Sequence, residues 1–154
     1  MLKFRPALIA LALLPLACAG NGVQGRKDQE SAYRAARERW DRTRPGAYSF
    51  VLERPCLCPR ELTGPVLVEV RGDSVVSRTY TGDGQPVINE SVALFGNMES
   101  VFEVVARAIE GADALTATYD SVYGFPTSVG IDYRKDLIDD ESGLKVTGFR
   151  TLAP

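Results

Sequence analysis

Histidine is absent from all 154 residues. That removes Ser-His-Asp and Cys-His catalysis, imidazole general bases and His-ligated zinc from the chemistry open to this chain. Cysteine is scarce: Cys18, Cys56 and Cys58 are the only three. Lysine is outnumbered by arginine, 4 to 14, a compositional bias that marks no site by itself. Long apolar runs are missing as well. The longest, Ala7 to Leu16, interrupted only by Pro15, spans about 17 Å as a helix against about 30 Å of hydrocarbon, too short for a permanent transmembrane helix.

That run belongs to an export pattern. Lys3 and Arg5 give a charged start, the apolar stretch follows, and Ala17-Cys18-Ala19 is a small-residue exit, the layout of a bacterial secretory signal. Two processing routes compete. Cleavage before Cys18, after Leu16-Ala17, leaves a cysteine to be acylated, although Pro15 occupies the place where an aliphatic residue is usual. Cleavage after Ala19, at an A-x-A site, leaves a soluble product. The sequence therefore divides into a signal peptide (1–17), an anchor cysteine with a Gly-rich flexible tether (18–27) and one domain (28–154). Under either route only Cys56 and Cys58 remain, and in an oxidising envelope two leftover cysteines most simply pair with each other.

Charge narrows the partners. Removing Lys3 and Arg5 takes the formal charge from −2 to −4, and residues 98–154 carry 5 basic and 10 acidic side chains. An acidic C-terminal half argues against nucleic acid, which needs a basic face.

Periodicity predicts the domain's elements. Asp28 can cap a helix with Tyr33, Ala36 and Trp40 on one side, ending near Thr43 before Pro45. Tyr48, Phe50 and Leu52 alternate as a strand; Val66 to Arg71 and Val75 to Tyr80 form a hairpin about Gly72-Asp73. Leu94, Met98, Val101, Val105 and Ile109 mark a second amphipathic helix opened by Ser91, broken near Gly96-Asn97 and ended at Gly111. Leu115 to Tyr119, Val129 to Tyr133 and Leu144 to Leu152 are three further strands, with Asp136 to Gly143 as an acidic loop. The expected fold is α+β, an antiparallel sheet of about six strands with two helices on one face, in the order α-β-β-β-α-β-β-β. Rough counterparts, Ala47 and Pro65 against Ala114 and Pro126, suggest an internal repeat.

Trp40, the strand from Tyr48 to Cys56, Cys56-Leu57-Cys58, Gly64-Pro65-Val66, Tyr119-Asp120, Tyr123-Gly124-Phe125-Pro126 and Ile131-Asp132 through Asp139-Asp140-Glu141 resemble a family of bacterial envelope proteins known as domain of unknown function 6174. The resemblance covers Asp28 to Phe149. It implies an envelope location, in many members as lipoproteins, and a single domain, and it carries no catalytic residues.

Cys56-Leu57-Cys58 between Pro55 and Pro59 is the sharpest local motif. It reads as a structural disulfide, a thiol–disulfide redox pair, or two thiolates of a soft-metal site that lacks further ligands. Asp132, Asp136, Asp139, Asp140 and Glu141 offer oxygen ligands to Ca²⁺, without EF-hand spacing; a solvated loop is the alternative. Tyr119, Tyr123 and Phe125, with Tyr133, form an aromatic group that serves either hairpin packing or recognition. Asp120 and Asp132 are a carboxylate pair of the kind any domain this size offers. Arg71-Gly72-Asp73 coincides with a predicted turn, and Asn89-Glu90-Ser91 is no glycosylation site in a bacterium. The expected function is a non-catalytic binding or structural lipoprotein of the cell envelope. It needs no cofactor, and its partners are the membrane, through a lipid anchor, and another envelope protein. A redox or metal factor using the Cys-x-Cys pair and a calcium-responsive module are the alternatives.

Overall fold

A computed structural model describes residues 21–153 except 57, 135 and 137–140. The expected signal segment and Cys18 thus lie outside the described residues, as do Asp139 and Asp140.

Helix α1 (Asn21–Thr43) leads into β1 (Ala47–Glu53), a one-turn helix α2 (Arg60–Thr63), and the hairpin β2 (Val66–Arg71) and β3 (Ser74–Tyr80). A 3-10 turn (Asn89–Leu94) and α3 (Met98–Gly111) cross to β4 (Ala114–Tyr119), β5 (Pro126–Asp132) and β6 (Glu141–Thr151). All six strands join one antiparallel sheet in the order β3-β2-β1-β6-β5-β4. The predicted class and strand count are those observed.

Alternation explains the layers. Tyr48, Phe50 and Leu52 of β1, Val66, Val68 and Val70 of β2, Val129 and Ile131 of β5, and Leu144 and Val146 of β6 are buried on the helix-covered side. Trp40 of α1 and Phe102 of α3 close over them, with Trp40 edge-on to Tyr48, Phe125 and Phe149. Fully burying a side chain of this size contributes on the order of 1.5–3 kcal/mol, so this layer supplies the main favourable term. Two bulges tune the sheet. Gly148, at φ +60°, lies where the β1–β6 register shifts, and the extra residue carries Phe149 onto the core side. The shift in β2–β3 leaves Val76 unopposed and exposed.

Three expectations are corrected. Helix α1 starts at Asn21, not Asp28, so residues 21–27 are helical rather than a flexible tether. Gly22 and Gly25 disfavour helix. Tertiary contacts offset this: Arg26 Nη2 donates to the Ala112 carbonyl at 3.0 Å, and Gln29 Oε1 accepts from the Ala117 N–H at 3.2 Å. The acidic loop is shorter, because Glu141 to Gly143 already pair with Asp132 to Gly130. The suggested repeat fails on topology. A duplicated α-β-β-β unit set side by side would keep β1 and β4 in the same direction, yet the antiparallel ladders β1–β6, β6–β5 and β5–β4 leave them opposed.

The second helical stretch has its predicted break. The 3-10 turn ends at Leu94, and Asn97 caps α3 by accepting from the Ser100 N–H at 3.1 Å. No helix among the described residues is long and apolar enough to cross a membrane.

Candidate functional site

The end of the sheet where β1 leaves and β6 enters gathers the cysteine loop, one cavity and the start of the acidic segment. Cys56 and Cys58 are bridged, with Cα atoms 5.2 Å apart, and Cys58 is exposed. The chain leaving β1 is pinned by the Arg54 N–H donating to the Thr63 carbonyl at 2.7 Å. Pro55 in turn packs near Gly143 of β6. The bridge therefore belongs to the short loop that the Arg54–Thr63 backbone bond closes.

Beside that loop lies a cavity of about 250 Å³, between the end of β1, the 3-10 turn, α3 and Leu144 of β6. Its charged residue from the sheet is Arg54, half-buried, whose Nη1 donates to the Leu94 carbonyl at 3.5 Å. Burial holds the Arg54 guanidinium below the usual arginine range, with no acidic group among the described residues offsetting it. Arg78 reaches the next carbonyl, Phe95, at 2.6 Å through Nε. Sequence reading passed over Arg54. The available signal was register: Tyr48, Phe50 and Leu52 face inward, and the next residue in that alternation is an arginine.

The acidic candidates come together only in part. Asp132 and Glu141 are direct cross-strand partners at the β5–β6 end. Asp132 Oδ1 accepts from the Arg134 N–H at 3.0 Å, and Asp136 pairs with Arg134 at 3.4 Å. Asp139 and Asp140 lie outside the described residues. Among the described residues no three His, Cys, Asp or Glu side chains are grouped to hold a metal.

The aromatic candidates sit at the β4–β5 turn. Asp120 Oδ1 accepts from the Val122 and Tyr123 N–H groups at 2.9 and 2.7 Å, a side-chain-built turn. Gly124, at φ +87°, lets that turn meet α1 closely, and Phe125 is buried against Trp40 and Phe149. Tyr123 rests on Phe149. Tyr119 is partly buried, its hydroxyl has no hydrogen-bond partner among the described residues, and burial pushes its pKa up to about 12. Tyr133 alone of the group is exposed. Asp120 is thus occupied with its own turn while Asp132 lies at the far end of β5.

A carboxylate that sequence reading passed over organises the first turn of α3. Glu99 accepts from Trp40 Nε1 at 3.0 Å, pairs with Arg37, and takes Arg44 Nη1 at 3.1 Å. Arg44 also reaches Asp73 in the β2–β3 turn at 3.2 Å. Glu99 satisfies the one polar atom of a fully buried tryptophan, which is a structural task. Nothing in its sequence neighbourhood announces it, because its partners lie 55 to 62 residues away.

No curated protein and no solved structure matches this chain. The blocks around Trp40, the bridged cysteines and the Tyr123-Gly124-Phe125-Pro126 turn fall within residues 32–151, which match the family model for the family of unknown function DUF6174; the chain belongs to that family.

Proposed function

We propose that this protein is a cell-envelope lipoprotein whose domain works as a non-catalytic binding or structural module. The observation that carries this reading is the N-terminal sequence: Lys3 and Arg5, the apolar run, then Leu16-Ala17-Cys18-Ala19. The Cys56–Cys58 bridge supports it, since disulfides persist in oxidising compartments. So does the employment of several carboxylates in structural tasks, Glu99 under Trp40 and Asp120 in its turn. In this reading acylated Cys18 holds the domain at the membrane, on the outer-membrane or periplasmic face if the cell has two membranes, and another envelope protein is its partner. Cleavage after Ala19 would instead release it as a soluble exported protein. Metabolic labelling with a clickable fatty acid tests the anchor: the wild-type chain takes label and partitions with membranes, and Cys18→Ser does neither. A wild-type chain that stays unlabelled and soluble overturns the reading.

One observation favours a second reading, a thiol–disulfide factor: Cys58 is exposed on its loop. That reading expects Cys58→Ser to trap a partner through Cys56, and a pair that is permanently oxidised with no trapped species counts against it.

A further inference from the structure

Arg54 stands where a core residue belongs. Leu52, two positions earlier in the same alternation, is fully buried, and both side chains line the cavity under α3. A guanidinium carries five donors and stays protonated, yet among the described residues that of Arg54 makes a single long bond, to the Leu94 carbonyl. A charge drawn from water calls for a partner. Among the described residues the ion pairs include neither Arg54 nor Arg107, the second arginine of the cavity. Glu103 also lines it, so two arginines and one glutamate leave a formal charge of +1. Between them the lining is mixed: Leu94 and Val104 are partly exposed, Ser100 adds a hydroxyl, and Leu52, Val101 and Leu144 stand almost wholly buried behind them.

We infer that this cavity binds a small monocarboxylate with an aliphatic body. The carboxylate accepts from the Arg54 guanidinium, Arg107 attracts it at the mouth, and the aliphatic part lies against Leu94 and Val104. A planar two-oxygen acceptor suits an arginine fork, and a single negative charge matches the lining. At about 250 Å³ the space is below that of drug-sized pockets, so the ligand is short. Its source is either a free short-chain fatty acid or the C-terminal carboxylate of an apolar peptide. This deepens the binding-module reading by giving the module a ligand class. It stands on the folded domain and not on how Cys18 is processed, so this titration and the fatty-acid labelling fail independently.

The test is a methyl-NMR titration of the purified chain with hexanoate, N-acetylleucine and neutral hexanol. Saturable shifts at the Leu94 and Val104 methyls with either carboxylate support the inference, and the tighter of the two names the source. Arg54→Met should weaken binding at least about tenfold, and exposed Arg107→Gln by at most about fivefold. Arg54→Lys keeps the charge without the fork and should fall between wild type and Arg54→Met, which keeps the test open if Arg54→Met folds poorly. No saturation with either acid, equal binding of hexanol, or undiminished binding to the Arg54 variants overturns it.

Discussion

Gly124 holds a φ of +87°, and a Cβ there would lie 2.3 Å from the Ala36 carbonyl oxygen of α1. Both the backbone conformation and the helix approach therefore demand glycine, and Gly124→Ala should lose about 2–4 kcal/mol. Urea denaturation checks this, and a loss within experimental error would mean the turn does not seat on α1. Tyr119 gives the opposite sign. Its buried hydroxyl has no partner among the described residues, so Tyr119→Phe should leave stability unchanged or raise it by up to about 1 kcal/mol; a clear loss would reveal a bond to the hydroxyl. Tyr48 and Tyr119 also set an alkaline limit. Burial raises both to about 12 from 10.0. Above the unfolded value the unfolded chain has released protons that the folded chain still holds, so stability is full below about pH 10 and falls as pH climbs towards about 12. The double variant Tyr48→Phe, Tyr119→Phe should flatten that decline, measured as unfolding free energy against pH. An identical slope in the variant rules these tyrosines out as the cause.

Helix α1 shows how an element acquires a second task from its neighbours. Its apolar positions Tyr33, Ala36 and Trp40 were legible in the sequence, since 3.6-residue periodicity is a property of adjacent residues. Its first two turns were not, since they are held by Arg26 on Ala112 and Gln29 on the edge of β4. Gln29 occupies the Ala117 N–H at the open edge of the sheet, and an uncovered edge is a template for pairing with another chain. Deleting residues 21–30 should therefore produce dimers or larger species in analytical ultracentrifugation while the near-ultraviolet signal of Trp40 survives. A truncated chain that stays monomeric would show that β4 needs no cover. The candidate site follows the same division. The bridged cysteines stood out as a pair, but Arg54 acquires its meaning only when α3 and the 3-10 turn close over it.

For the whole molecule, the disulfide is a local device. It joins cysteines two positions apart, so the chain entropy it removes from the unfolded state is small. Cys56→Ser with Cys58→Ser should cost less than about 2 kcal/mol and leave the fold intact. Thermal unfolding with and without reductant checks the same point, and collapse on reduction would make the loop an essential staple. The sheet itself closes through β1 and β6, which lie about a hundred residues apart in the chain and yet are neighbours at its centre. By itself the sequence determined the six alternating segments, the hairpin at Gly72-Asp73, the break before α3 and the absence of imidazole chemistry, all consequences of residue identity and near neighbours. Only the tertiary structure decided the strand order, the departure from a repeat, the Glu99 clasp on Trp40 and the cavity under α3. These depend on which distant segments share one buried layer, and that is set by closing the chain around a common core, which no local pattern records.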